Sequence, residues 1–93
     1  MEFTKTENGF VKHDENGKVI AEITYSPTDN PDVVVADHTF VDSSLRGQGV
    51  AGKLLNILVE DMKNQNKKIK ASCSYVVKKF EEDSSYDFIN ADK

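Results

Sequence analysis

Residues 50–65 hold the one long helical signal in this chain, and what flanks them leaves few ways to fold. Val50, Leu54, Leu58 and Met62, with Ala51 and Leu55 beside them, recur at helical spacing, while Lys53, Asn56, Glu60, Lys63 and Asn64 take the opposite side. A β-rich run stands on each side of this helix, Val33 to Val41 before it and Lys68 to Cys73 after it. Strand, helix and strand in that order predict one right-handed β-α-β crossover with the two strands parallel. In the second run Ile69, Ala71 and Cys73 fall on one face, which puts Cys73 at the strand's end.

Upstream, Gly9 to His13 and Lys18 to Tyr25 flank Asp14-Glu15-Asn16-Gly17, and Asn-Gly between two β-rich runs is a strong hairpin signal. Val19, Ala21, Ile23 and Tyr25 share one face and Ile20, Glu22 and Thr24 the other, as in a sheet covered on one side. Ser26 to Asp32 is dense in turn formers and leads into residues 33–41 as a third antiparallel strand. Residues 1–8 are polar and are expected to fray. Val76, Val77 and Phe80 predict a short amphipathic helix, and Tyr86, Phe88 and Ile89 offer apolar surface to dock the tail. The expected fold is α/β (α+β), an antiparallel meander followed by a β-α-β crossover and a C-terminal helix, with residues 1–93 as one domain.

A chain of 93 residues buries only about two-thirds of its unfolded surface, enough for one core and one site. Its net charge of -4 supplies no basic field for phosphate neutralisation, so nucleic acid is a poor partner. A single cysteine points to a reducing compartment, and the cytoplasm is expected. No apolar stretch approaches the roughly 20 residues of a membrane span, and the start of the chain lacks an export pattern. One cysteine and two histidines at these separations offer no metal-ligand spacing. A monomer is expected.

The chemistry concentrates in Leu45-Arg46-Gly47-Gln48-Gly49-Val50-Ala51-Gly52-Lys53-Leu54-Leu55, where glycines join a strand to the helix. The first helical N–H groups lack intrahelical partners and carry the positive end of the dipole, so they favour an anion. Gly47 and Gly49 remove Cβ atoms that would hold a ligand off the backbone. Arg46 through Ala51 contain no Asp, Asn, Ser or Thr to cap the helix, which leaves room for a phosphate in the cap's place. The plainer alternative is a tight turn with its helix end in solvent. Gly47, Gly49 and Gly52 also satisfy the dinucleotide fingerprint. That reading needs an acidic ribose ligand about 20 residues on, where Lys70, Ala71, Ser72 and Cys73 stand instead.

This stretch resembles the GNAT superfamily of N-acetyltransferases, whose central motif is Gln/Arg-x-x-Gly-x-Gly/Ala; Arg46, Gly49 and Ala51 match it, and the likeness spans roughly residues 33–82. The resemblance implies that the amides of Arg46, Gly47, Gln48, Gly49, Val50 and Ala51 hold the pyrophosphate of acetyl-coenzyme A. It also implies that the strand edge from His38 through Thr39, Phe40 and Val41 pairs with the pantetheine arm. Typical members place two helices between their first two strands and a hairpin after the last helix. This chain has a tight turn at Asn16-Gly17 and ends soon after Phe88, so its acceptor half is reduced and the acceptor is not carried over.

Many members also place an Asn at the end of the strand after the motif and a Tyr seven positions later as general acid; here those positions align with Cys73 and Phe80. Cys73 would then lie near the acetyl group, as acyl acceptor or proton donor, unless it is a small core residue. Tyr75, the nearest phenol, either replaces the missing acid or packs. His38, on the face assigned to Ala36 and Phe40, has the near-neutral pKa of a general base but also suits a packed sheet histidine. Glu22 is a weaker base candidate. Lys53, Lys78 and Lys79 either meet the remaining cofactor phosphate or only solvate their helix faces. The expected function is acetyl transfer from acetyl-coenzyme A to a primary amine, the alternative a non-catalytic coenzyme A-binding or interaction module.

Overall fold

The first half of the chain forms four strands, β1 (Thr4–Thr6), β2 (Gly9–His13), β3 (Val19–Pro27) and β4 (Val33–Val41), each antiparallel to the next. In this computed structural model, which describes residues 2–93, β5 (Lys68–Ala71) completes the sheet parallel to β4, in the order β1-β2-β3-β4-β5. Helix α1 (Val50–Asn64) makes the crossover between the two parallel strands, and α2 (Ser74–Glu82) follows β5. The strands and helices after residue 8 lie where the apolar periodicity places them, except that β5 stops at Ala71, two residues short of the expected Cys73.

Local chemistry accounts for the turns. Between β2 and β3 the Asp14 carboxylate accepts the Asn16 and Lys18 amides at 2.8 and 2.9 Å, while Gly17 takes the left-handed φ of 84°. At the far end of α1, Asn66 adopts φ 59° and Lys67 N–H bonds to Met62 O, which ends the helix and turns the chain into β5.

One face of the sheet carries the core. Ala21, Ile23, Val34, Ala36 and Ile69 pack beneath Leu54, Leu55, Leu58 and Met62 of α1, all buried, and Val76 and Phe80 of α2 join the same cluster. The tail adds Ile89, which is buried, and Ile69 pairs with Asn90 beyond the edge of β5. Phe88, expected to dock with it, is instead 49% exposed.

The N-terminal segment departs from expectation. Residues 4–6 are a strand rather than a frayed end, and Met1 lies outside the described residues. Lys5 explains the difference, because its Nζ bonds to Asp61 Oδ2 of α1 at 2.9 Å and Tyr25 Oη at 3.1 Å, above the Phe10 and Tyr25 rings. A polar segment is thus tied down by one long cationic side chain that reaches across the sheet.

A second departure lies inside β4. Thr24 faces His38 but Tyr25 faces Ala36, so Asp37 has no partner on β3 and forms a β-bulge. The bulge reverses the alternation: Val34 and Ala36 face the core before it, and Thr39 and Val41 pair with the buried Ile23 and Ala21 after it. His38 therefore lies on the opposite face from Ala36, with Phe40, and not on the shared face that strict alternation assigns.

Among the described residues no helix is long and apolar enough to cross a membrane, and no cluster of three or more His, Cys, Asp or Glu side chains is placed to hold a metal ion.

Candidate active site

Between β4 and α1 the chain makes a 3₁₀ turn at Ser43–Leu45, capped by the Asp42 carboxylate, which accepts the Ser44 amide at 3.0 Å and the Ser44 hydroxyl at 2.6 Å. Two left-handed glycines follow, Gly47 at φ 82° and Gly49 at φ 67°, and Gly49 is the N-cap of α1. No side chain caps this helix. Its first bond runs from Lys53 N–H to Gly49 O at 3.1 Å, so the amides of Val50, Ala51 and Gly52 have no intrahelical acceptor. A Cβ built on Gly47 or Gly49 would meet no heavy atom within 4 Å. The turn thus borders a groove of ≈ 310 Å³ lined by Val41, Leu45, Arg46, Gly47, Gly49, Val50, Ala51, Gly52 and Tyr75.

Val41, the last residue of β4, joins this groove to the strand. Pairing of β4 with β5 ends at Ala36↔Ala71, where Ala36 O takes both the Ser72 and Cys73 amides, at 3.1 and 2.9 Å. Among the described residues no strand pairs with that side of β4 from Asp37 onward, and the chain after Ala71 turns away into α2. Cys73 is therefore not a strand residue but the N-cap of α2. Its sulfur lies 3.4 Å from Thr39 Oγ1, on the core side of the gap. Burial pushes the thiol pKa up, but the Thr39 hydroxyl and the amides of Val76, Tyr75 and Thr39 outweigh it and leave the thiol below its ordinary range.

Tyr75 sits in the first turn of α2 rather than at a strand end, with its hydroxyl directed at the first turn of α1; a Cβ on Gly52 would lie 3.7 Å from it. Burial raises this phenol, so it keeps its proton at neutral pH. Lys79 Nζ lies 5.8 Å from the Tyr75 ring centroid. His38 occupies the other face, its Nε2 3.8 Å from Glu22 Oε1 and its side chain largely exposed. Phe40 shares that face at 38% exposure, so only its main chain belongs to the β4 edge, and Gln48 is exposed outside the groove lining. Of the expected cofactor residues, Val41, Arg46, Gly47, Gly49, Val50 and Ala51 come together directly.

Comparison with known proteins decides what this architecture belongs to. A family model described as GCN5-related N-acetyl-transferase matches residues 9–89. The chain belongs to that family. The GNAT fold also recurs in a GCN5-like protein from Staphylococcus aureus solved by NMR, at TM-score 0.79 and 38% identity over 96% of this chain and 86% of that one. YhbS, a GNAT family N-acetyltransferase from Escherichia coli crystallised in complex with CoA, matches at TM-score 0.58 and 26% identity over 66% of this chain and 37% of its own. An acetyltransferase from Bacillus cereus matches at 0.53 and 27% over 63% and 41%. This GNAT chain thus spans less than half the length of the last two. No curated protein matches its sequence.

Three residues at or beside this groove were not picked out as site residues from the sequence. Leu45 and Gly52 line the groove from either side of the motif, and proximity to it was their only signal. Asp37 had a stronger one: Asp37-His38 sets two polar residues side by side inside a nine-residue β-run, which strict alternation does not allow.

Proposed function

We propose that this GNAT chain, acting as one cofactor-binding unit over residues 1–93, binds acetyl-coenzyme A and transfers its acetyl group to a primary amine. The observation that carries the reading is the start of α1, an uncapped helix N-terminus with two left-handed glycines, opening beside a β4 edge that has lost its neighbour. These residues fit the cofactor. Amides of the Arg46–Ala51 turn would hold the pyrophosphate, with the helix dipole favouring its charge, and main-chain groups from Thr39 to Val41 would pair with the pantetheine arm. Bound acetyl-coenzyme A would supply an acetyl thioester, a ready acyl donor.

The protein's own groups would manage protons around it. Tyr75, which retains its proton, is suited to donate to a departing thiolate. Cys73, at a helix N-terminus with a lowered pKa, is suited to take an acyl group or supply a proton. His38, with Glu22 3.8 Å away, would accept the proton of an incoming ammonium from the opposite face of the sheet. A reducing, cytoplasmic setting would keep the single thiol free, and a monomer would suffice because both sides of the groove come from one chain.

A binding module without turnover is the second reading, and Phe80 favours it. Where many GNAT members carry a tyrosine acid, Phe80 is buried and packs on Tyr86 with ring centroids 5.5 Å apart. Amide chemical-shift titration separates the readings from their rivals. Coenzyme A should perturb Arg46–Ala51 most and NAD much less; equal perturbation by NAD would mean a dinucleotide site. Steady coenzyme A release with a panel of amines, polyamines and peptide N-termini then distinguishes enzyme from module.

A further inference from the structure

The extra residue of β4 is held in place by two side chains of β3. Asp37 accepts the Thr24 hydroxyl at 2.5 Å through Oδ1 and the Ser26 hydroxyl at 2.5 Å through Oδ2. Thr24 and Ser26 lie on either side of Tyr25, at the step where the register shifts. One carboxylate thus spans both sides of the bulge, and when ionised it accepts from both hydroxyls. Burial pushes the Asp37 pKa up, but Ser26, Thr24, a backbone amide and His38 outweigh it and hold the pKa below the ordinary carboxylate range.

The position of this clasp matters for the groove. Without the bulge, strict alternation from Ala36 would reverse which of residues 38–41 face the core. With the extra residue at 37, Thr39 reaches Cys73 and Val41 lines the groove. The last β4–β5 pair, Ala36↔Ala71, is the residue immediately before the clasp.

We infer that Asp37 is a positioning residue for the pantetheine channel: by binding the Thr24 and Ser26 hydroxyls it holds the bulge in β4, which turns Thr39 toward Cys73 and Val41 toward the groove and fixes the free β4 edge where the arm must lie. The inference rests on the coenzyme A reading proposed above. Asp37 touches neither cofactor nor acceptor; it acts through the β4 backbone.

The test compares two ligands by calorimetry, coenzyme A and adenosine 3′-phosphate 5′-diphosphate, which carries the pyrophosphate without the pantetheine arm. Asp37→Ala should weaken coenzyme A by about tenfold or more, because small displacements of a positioning edge are costly, and leave the fragment's affinity unchanged. Asp37→Asn, which still offers one acceptor oxygen, should restore most of the coenzyme A affinity. Thr24→Val with Ser26→Ala, which leaves the carboxylate but removes its partners, should reproduce Asp37→Ala and carries the test if that variant does not fold. Equal loss of both ligands, or parent-like coenzyme A binding in Asp37→Ala and in Thr24→Val with Ser26→Ala, overturns the inference alone. A parent protein that binds neither ligand overturns the cofactor reading and this inference with it.

Discussion

Cys73 Sγ and Thr39 Oγ1 stand 3.4 Å apart across the gap where β4 and β5 separate, and they meet only because β4 has one residue too many. Without the bulge at Asp37, alternation from Ala36 would turn His38 and Phe40 toward the core and Thr39 away from it. The contact joins the free edge of one strand to the start of the following helix. It also gives the thiol its most direct side-chain partner.

Cys73 should therefore react with iodoacetamide with a pH midpoint below that of an unperturbed thiol. Thr39→Val should raise that midpoint, since the hydroxyl stabilises the thiolate, and bound coenzyme A should slow the reaction. Alkylation rates measured from pH 6 to 10 check both; a midpoint unchanged in Thr39→Val means the hydroxyl does not stabilise the thiolate.

Gly49 is at once the helix N-cap and a left-handed residue, so Gly49→Val carries two penalties. A β-branched side chain at φ 67° is strained by about 1–3 kcal/mol, and it also projects into the open space where the proposed pyrophosphate would sit. Calorimetric titration should show coenzyme A binding lost even below the variant's lowered unfolding temperature. Retained affinity would remove Gly49 from the cradle.

Asp37 links stability to acid. Its pKa is depressed in the folded protein, so its contribution is present above the unfolded carboxylate value of about 3.9 and is lost as pH falls through the folded value. The stability difference between parent and Asp37→Asn should be full at neutral pH and shrink below about pH 4. Urea unfolding at a series of pH values measures it; a pH-independent difference would mean the carboxylate's charge is irrelevant to the clasp.

Gly9 should tolerate nothing larger. A Cβ there would overlap the Ile23 carbonyl oxygen, a backbone atom with little freedom to move. Gly9→Ala should destabilise the fold by about 1–3 kcal/mol, or several degrees in Tm for a domain of this size, as thermal melts would record.

Lys5→Ala should release β1 while leaving the rest of the sheet intact. The Asp61 ion pair is half-exposed and contributes about 1 kcal/mol at most, with the two ring contacts adding to it. Amide hydrogen exchange should quicken at residues 4–6 and barely change in β3 and β4. Global loss of protection would mean that β1 is part of the core.

What the sequence by itself determined is everything carried by local periodicity and turn chemistry. The spacing of Val50, Leu54, Leu58 and Met62 places α1, Asn16-Gly17 places the first long hairpin, and the glycines before Val50 mark an uncapped helix start. These follow from the conformations that residues within a few positions of one another can share. Tertiary structure decided the rest. Strict alternation puts His38 on the core face, and only the Thr24 and Ser26 hydroxyls, 13 and 11 residues away from Asp37, show where the extra residue is held. Cys73 reads as a strand residue until the parallel pairing stops at Ala71, and β1 reads as a frayed end until Asp61 arrives on α1, 56 residues after Lys5. In each case the deciding partner is distant in the chain, and no pattern within the segment itself records which side chain will reach it.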